Sequence, residues 1–213
     1  MGYSAALLDF DGVVGETMED NFRAWCHALR TLADVPFDRQ EYFLLEGARS
    51  VEVAATVLRR HGRDERLAEA VVELKDSWYL AHSTFRFHEG VHELIAACRR
   101  RGMKLGLVSG GMRRRLLTPQ TESLLSTFDV IVTGDDVAEG KPSPEPYLTA
   151  ARRLGVAPHA CLVVENAPYG IRSARAAGMT CFAVCSTLPP ERLGEAHQIV
   201  ADLTGVIPLL GPA

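Results

Sequence analysis

The hydrophobic pattern divides the chain into a helical stretch near the N-terminus and an alternating region after it. Ala5–Leu8 is a short apolar run typical of a buried strand. From about residue 17 to 84, apolar residues recur at helical spacing with no strand-like run between them. Thr17 is expected to cap the first of these helices, with Asp20 completing a variant of the capping box. This stretch therefore predicts helices only.

The pattern changes after residue 85, where short apolar runs alternate with amphipathic helices. The runs cover residues 104–108, 129–132, 160–164 and 180–184, and the helices cover 90–101, 144–154 and 169–177. Such alternation is typical of a parallel sheet covered by helices on both faces. The predicted fold class is therefore α/β, a Rossmann-like parallel sheet with an inserted α-helical cap domain. We expect a core domain of residues 1–16 and 85–213 and a cap domain of residues 17–84.

Composition narrows the class of protein. The 213 residues are 47% hydrophobic and 23% charged, which excludes a mainly disordered chain. The net charge of -4 does not indicate a nucleic-acid partner. The basic cluster Arg113–Arg115 is expected to be a solvated helix face.

Five cysteines without a Cys-x-x-Cys pair indicate a reducing compartment. With no signal peptide or membrane-spanning run, we expect a cytoplasmic protein with no membrane partner; the pattern defines no oligomeric state.

Polar residues follow the predicted strands, where a parallel sheet binds its ligands. Asp9 and Asp11 follow the first strand, Ser109-Gly110-Gly111 the second, Thr133–Asp136 and Lys141 the third, and Glu165-Asn166 the fourth. Because the carboxyl ends of parallel strands share one edge of the sheet, we expect these groups to converge.

The chemistry of these groups is complementary. Carboxylate and amide oxygens suit Mg²⁺, whereas Ser109 and the backbone N–H groups of its two following glycines can bind an anion. Lys141 supplies a positive charge. The set predicts a site for a phosphoryl group bridged to Mg²⁺. Of two aspartates two residues apart, one can act as nucleophile and the other as general acid and base.

Four motifs resemble those of the haloacid dehalogenase (HAD) superfamily, in its branch of phosphatases and β-phosphoglucomutases with a helical cap after the first strand. They are Asp9-Phe10-Asp11-Gly12-Val13, Val108-Ser109-Gly110, Gly140-Lys141-Pro142-Ser143-Pro144-Glu145 and Val164-Glu165-Asn166-Ala167-Pro168-Tyr169-Gly170. The resemblance runs from about residue 5 to about residue 200. It implies a Mg²⁺-dependent phosphatase that acts on a small phosphorylated metabolite, with a sugar phosphate as one option, through an aspartyl-phosphate.

The resemblance implies a role for each matching residue. Asp9 is the expected nucleophile, and Asp11 the general acid and base, with its backbone carbonyl binding Mg²⁺. Ser109, with Gly110 beside it, and Lys141 are expected to hold the phosphoryl group. Glu165 and Asn166 stand where the family places its last metal-binding acids, so the expected metal set is Asp9, Asp11, Glu165 and Asn166.

Outside the motifs, Arg49 either reaches over the core to a substrate anion or is a solvated helix end.

Two positions depart from the family pattern. Asn166 replaces an aspartate, which predicts weaker Mg²⁺ binding. Asn21 replaces the histidine of β-phosphoglucomutases, which favours a hydrolase over that mutase. A dehalogenase is disfavoured by Asp11, because that reaction has no alkoxide to protonate. A non-catalytic binding protein on this fold is the third alternative.

Overall fold

The computed structural model describes residues 2–211, which form a six-stranded parallel sheet covered by helices. The strands are β1 (Ala5–Asp9), β2 (Lys104–Val108), β3 (Val130–Val132), β4 (Cys161–Glu165), β5 (Thr180–Val184) and β6 (Gln198–Val200). Their order in the sheet is β3-β2-β1-β4-β5-β6. The predicted α/β class is confirmed.

Strand β1 lies at the centre of the sheet. Its first residue, Ala5, is in register with Lys104 of β2 on one side and Cys161 of β4 on the other. All five residues of β1 are buried. Leu8 faces one hydrophobic layer and Leu7 faces the other. A strand covered on both faces is expected to be a continuous apolar run, and this one keeps that character until it reaches Asp9.

The helices have the following bounds. They are α1 (Met18–Ala33), α2 (Arg39–Leu45), α3 (Ser50–Arg60), α4 (Ala68–His82), α5 (Val91–Arg100), α6 (Arg113–Leu116), α7 (Glu122–Leu125), α8 (Glu145–Leu154) and α9 (Pro168–Ala176). Helix α5 contributes to the hydrophobic layer that contains Leu8, and α8 and α9 contribute to the layer that contains Leu7.

Helices α1 to α4 follow β1 directly and have a hydrophobic core of their own. This third core includes Trp25 and Leu29 of α1, Leu58 of α3 and Val71 of α4. The predicted helical insertion is therefore present, while the residue bounds of the two domains stay a prediction. No helix within residues 2–211 is long and apolar enough to span a membrane.

Three local features differ from the expectations. The short edge strand β6 was not predicted, because three residues are too few to show a period. Helix α7 has four residues and is equally weak as a pattern, whereas α6 lies where the Arg113–Arg115 helix was expected. Thr17 does not cap α1 through its side chain; its hydroxyl instead donates a hydrogen bond to Asp11.

Candidate active site

The end of β1 places two buried carboxylates at the edge of the sheet. Asp9 is the last residue of the strand, and Asp11 lies in the turn that follows it; both are 3% exposed. Gly12 has φ +83°, a left-handed conformation that favours glycine. The same turn leads the chain out of the sheet and into α1.

Lys141 lies between two acids at this edge. Its Nζ donates hydrogen bonds of 2.6 Å to both Asp9 and Glu165, and its residue is 1% exposed. Burial raises the pKa of Asp9, and the positive charge of Lys141 offsets part of that increase. Burial would lower the pKa of Lys141, but the carboxylates of Asp9 and Glu165 raise it. The lysine is therefore a fixed positive charge beside the candidate nucleophile.

Asp11 has a different set of partners. Its Oδ1 accepts hydrogen bonds from Thr17 Oγ1 at 2.5 Å and from Asn21 Nδ2 at 2.9 Å. Arg115 Nη1 donates to the same oxygen at 2.9 Å, and Arg115 Nη2 donates to Oδ2. Burial would raise the pKa of Asp11, but the charge and hydrogen bonds of Arg115 lower it. The two aspartates thus stand in separate electrostatic environments, one set by a lysine and the other by an arginine.

The position of Arg115 corrects the expectation for the cluster 113–115. Arg115 is 3% exposed and is not part of a solvated helix face. Its guanidinium lies 5.2 Å from the centre of the Tyr79 ring. A Cβ on Gly111 would collide with this guanidinium, so the second glycine of the β2 loop leaves room for the arginine. In the sequence, the position of Arg115 is signalled only by Gly111, for which the pattern predicts anion binding.

The β2 loop carries the predicted phosphoryl-binding residues. Ser109 is buried, and its Oγ accepts a hydrogen bond of 3.0 Å from the backbone N–H of Gly111. The loop before α3 lies directly on Gly110, since a Cβ placed there would be 2.5 Å from the carbonyl oxygen of Ala48. The helical insertion therefore covers the β2 loop.

Arg49 belongs to the same covering loop and reaches the core. Its Nη1 donates a hydrogen bond of 2.8 Å to the carbonyl oxygen of Ala138, and it forms an ion pair of 3.8 Å with Glu52. The arginine therefore crosses from the helical insertion to the loop before Lys141. Its predicted contact with substrate stays a prediction.

The residues after β4 offer one acceptor suited to a metal ion. Asn166 is fully buried, and its Nδ2 donates to Thr187 Oγ1 at 2.9 Å. Its Oδ1 has no hydrogen-bond partner within the described part of the chain. A buried acceptor without a partner is costly, and an amide oxygen is a suitable Mg²⁺ ligand.

Glu165 is more fully occupied than Asn166. Its Oε1 accepts from Lys141 and from Tyr147 Oη at 2.7 Å, and its Oε2 accepts from the backbone N–H groups of Asn166 and Ala167. These contacts fix the carboxylate beside Lys141. Asp9 and Asn166 are therefore the side chains best suited to direct metal contact.

A small cavity of about 20 Å³ separates Asp11 from the helical insertion. It is lined by Asp11, Asn21, Trp25, Tyr42, Glu46, Ala48, Ser50, Val53, Lys75, Gly111 and Arg115. A cavity of this size can hold about one water molecule, which needs roughly 10–15 Å³, and no metabolite. We expect substrate to reach Asp11 when the insertion moves away from the sheet.

This combination of a parallel sheet, a helical insertion after its first strand and a buried lysine beside paired aspartates defines a class of phosphoryl-transfer hydrolases. The chain belongs to the haloacid dehalogenase-like hydrolase family, whose model matches residues 6–184. The predicted family and the enzyme class, a HAD-like phosphoric monoester hydrolase, are confirmed.

Relatives cover nearly the whole chain. Validoxylamine A 7'-phosphate phosphatase of Streptomyces hygroscopicus subsp. limoneus is 33% identical over 99% of this chain and 100% of its own length. Beta-phosphoglucomutase of Bacillus subtilis is 30% identical over 94% of this chain and 91% of its own. The crystal structure of CbbY from Rhodobacter sphaeroides in complex with phosphate superposes with a TM-score of 0.80 at 28% identity, covering 96% of each chain.

Proposed function

We propose that this protein is a Mg²⁺-dependent phosphatase that hydrolyses a small phosphorylated metabolite through an aspartyl-phosphate. The observation that carries the proposal is the pair of separately partnered aspartates, with Lys141 on Asp9 and Arg115 on Asp11. Two carboxylates that share a site but differ in environment are suited to different steps of one reaction. The free cysteines support an enzyme of the reducing cytoplasm.

The first step transfers the phosphoryl group to the enzyme. A carboxylate oxygen of Asp9 forms a bond to phosphorus as the bond from phosphorus to the ester oxygen breaks. The departing alkoxide takes a proton from Asp11. Lys141 stabilises the equatorial oxygens of the phosphoryl group, and Ser109 with its loop donates hydrogen bonds to them.

The second step returns the enzyme to its starting state. Asp11 accepts a proton from water as the water oxygen bonds to phosphorus, and the acyl phosphate bond to Asp9 breaks. The products are inorganic phosphate and the Asp9 carboxylate. The insertion over the β2 loop keeps bulk water away while the acyl phosphate exists.

The residues present fit a magnesium ion. The ion would be held by Asp9, by the backbone carbonyl of Asp11 and by Asn166 Oδ1, which has no other partner in the described residues. Glu165, which is bonded to Lys141, would contribute negative charge nearby. When bound, the ion neutralises charge on the phosphoryl oxygens. With an amide in place of a carboxylate, we expect weaker binding than an aspartate would give at this position.

A β-phosphoglucomutase-like transferase is the second candidate, supported by the B. subtilis relative. Such an enzyme would pass the phosphoryl group to a sugar and not to water. Asn21 supports the hydrolase, because its amide is already engaged with Asp11 and cannot take up and release a proton as a histidine would. Measuring glucose 6-phosphate and inorganic phosphate formed from β-glucose 1-phosphate separates the two reactions.

The nucleophile is tested with Asp9→Asn. We expect release of inorganic phosphate from p-nitrophenyl phosphate with Mg²⁺ to fall by about 1,000-fold or more, because an amide cannot form the acyl phosphate. The matched control is Asp34→Asn at an exposed helix end, which should keep the activity of the unmodified protein. Full turnover by Asp9→Asn would exclude the mechanism.

A further inference from the structure

The amide of Asn166 has two different ends, and only one of them can bind a metal ion. Its oxygen has lone pairs for a cation, whereas its NH₂ group is a donor only. An aspartate would present two equivalent oxygens and would need no particular orientation. Because this chain has an asparagine at position 166, some other group must fix which end of the side chain is left for a ligand.

Thr187, in the loop after β5, engages the nitrogen end of this amide. Asn166 Nδ2 donates a hydrogen bond of 2.9 Å to Thr187 Oγ1, and Asn166 Oδ1 has no partner within residues 2–211. Asn166 is completely buried, and Thr187 is half-buried. Since buried polar atoms nearly always have a partner, the oxygen is the end of the amide that remains for a ligand.

Gly12 holds this pair against the turn that carries the two aspartates. A Cβ on Gly12 would collide with Asn166 Nδ2 and would lie 2.9 Å from Thr187 Oγ1. Gly12 directly follows Asp11 in the chain. The hydrogen bond between Asn166 and Thr187 is therefore part of the candidate active site, although Thr187 belongs to none of the four motifs.

A second hydroxyl determines the direction of this hydrogen bond. Ser186 Oγ donates to the backbone carbonyl oxygen of Gly12, which can only accept. Because the proton of Ser186 is used there, its oxygen is the acceptor in the long hydrogen bond of 3.5 Å with Thr187 Oγ1. The proton of Thr187 is then used as well, so its oxygen accepts from Asn166. The four groups form one chain that begins at an N–H and ends at a carbonyl.

We propose that Thr187 is a positioning residue for the metal site, because it accepts from Asn166 Nδ2 and so leaves Oδ1 free for Mg²⁺. This role rests on the Mg²⁺ dependence of the proposed function. Groups that orient a metal ligand contribute strongly to metal affinity. Without the Thr187 hydroxyl, the amide can rotate by half a turn and present its NH₂ group, which repels a cation.

The test measures metal binding itself, in the absence of substrate. Mn²⁺ is titrated into protein freed of metal with EDTA, free Mn²⁺ is followed by electron paramagnetic resonance, and Mg²⁺ is then added to displace the bound Mn²⁺. Thr187→Val removes the hydroxyl at nearly constant size, and Thr187→Ser keeps it. Each is made alone and in combination with Asn166→Asp. Thr31→Val on the exposed face of α1 is the matched control.

We expect Thr187→Val to weaken Mg²⁺ binding by about 10-fold, and Thr187→Ser and Thr31→Val to change it by no more than about 2-fold. In combination with Asn166→Asp, Thr187→Val should change the affinity by less than about 2-fold, because either carboxylate oxygen can bind the ion. This difference separates orientation from packing. A hydroxyl needed only for the shape of the loop would matter equally with asparagine and with aspartate at position 166.

Two results would overturn the positioning role. They are an unchanged Mg²⁺ affinity in Thr187→Val, and an equal loss of affinity with asparagine and with aspartate at position 166. If circular dichroism shows that Thr187→Val does not fold, Thr187→Ala replaces it in the same comparison. Metal binding that does not depend on Thr187 defeats this inference alone. Failure of the unmodified protein to bind Mn²⁺ and Mg²⁺ defeats the Mg²⁺ dependence of the proposed function as well.

Discussion

Asp9 and Asp11 are chemically identical side chains that acquire different properties from one cation each. Lys141 is a compact positive charge that can interact with Asp9 and with the phosphoryl group of the substrate at the same time. Arg115 presents a planar fork that occupies both oxygens of Asp11. Because arginine has no acceptor atom and holds Asp11 ionised, Asp11 can take up a proton and offer it to a leaving oxygen only after part of this fork has opened. Entry of substrate is the event that can supply Arg115 with another acceptor.

Glu46 makes the stability of the protein depend on pH. Burial and the nearby Asp11 charge raise the pKa of this half-buried carboxyl from 4.5 to about 7. Between these values the folded protein keeps a proton that the unfolded chain loses, so the free energy of unfolding decreases as pH rises through this window.

Glu46→Gln, which mimics the protonated carboxyl, should remove that pH dependence. At pH 8 we expect the variant to be more stable than the unmodified protein by about 1–2 kcal/mol, a figure reduced for the partial exposure of the side chain. At pH 5 the two should be nearly equal. Urea unfolding at both pH values measures this, with exposed Glu69→Gln on α4 as the control. Equal differences at both pH values would contradict the prediction.

Sequence reasoning located the residues at the strand ends but not their partners. Asp9, Lys141 and Glu165 could be grouped because each follows a predicted strand, and the structure brings these three into contact. Arg115 could not be distinguished from its two arginine neighbours, because which of the three turns inward depends on the orientation of a four-residue helix. For Thr17 the local pattern predicts a helix cap, because its actual partner, Asp11, is brought to it by the fold and not by helix geometry.

At the scale of the elements, the site depends on a close approach between two loops. The loop before α3 lies on the β2 loop at Gly110, where an added Cβ would be 2.5 Å from the Ala48 oxygen and 2.6 Å from that of Gly47. These two oxygens belong to the backbone, so they cannot move aside as the end of a flexible side chain could. Any side chain at position 110 must therefore push the insertion away from the sheet.

Gly110→Ala tests this contact. We expect kcat/KM for p-nitrophenyl phosphate to fall by about 10-fold, because the insertion can no longer close over the phosphoryl group. The control is Gly194→Ala, where an added Cβ meets no atom within 4 Å, and its activity should match that of the unmodified protein. Activity retained by Gly110→Ala would show that this contact is not needed for catalysis.

The elements that the sequence predicts correctly are those in which hydrophobic residues recur with a clear helical or strand spacing. Strands β2 and β5 have the expected bounds, and α8 and α9 end within a residue of the expected positions. The alternation of strands with helices was enough for the sheet, because parallel strands need such crossovers. The edge strand β6 pairs with β5 through only three residues, so its existence depends on the neighbouring strand more than on its own sequence.

For the whole molecule, the structure is a closed form in which the insertion and the core touch at several points. Arg49 bonds the Ala138 carbonyl, and a Cβ on Gly140 would be 2.8 Å from the backbone nitrogen of Arg49. The cavity beside Asp11 is too small for a metabolite. Turnover must therefore alternate between closed and open arrangements.

A disulfide between positions 49 and 140 should stop this alternation. In the double variant Arg49→Cys/Gly140→Cys, oxidation is expected to lower phosphatase activity by about 10-fold or more relative to the same protein after dithiothreitol, since substrate could no longer enter. Each single variant should be insensitive to the reductant, although Gly140→Cys alone should already be less active, because its Cβ meets the backbone nitrogen of Arg49. Equal activity of the oxidised and reduced double variant, with the disulfide confirmed by mass spectrometry, would show that opening at this point is unnecessary.

The central position of β1 also has a consequence for biosynthesis. This strand is synthesised before both of its neighbours, and one of them begins only at Cys161. At ordinary rates of translation the apolar run waits roughly 10 s for that partner. Until then the edge that pairs with β4 stays open even after β2 has been made, which is a hazard for aggregation. The acid at its end, Asp9, is therefore useful before any chemistry begins, since a charge flanking an exposed apolar strand discourages association with other nascent chains.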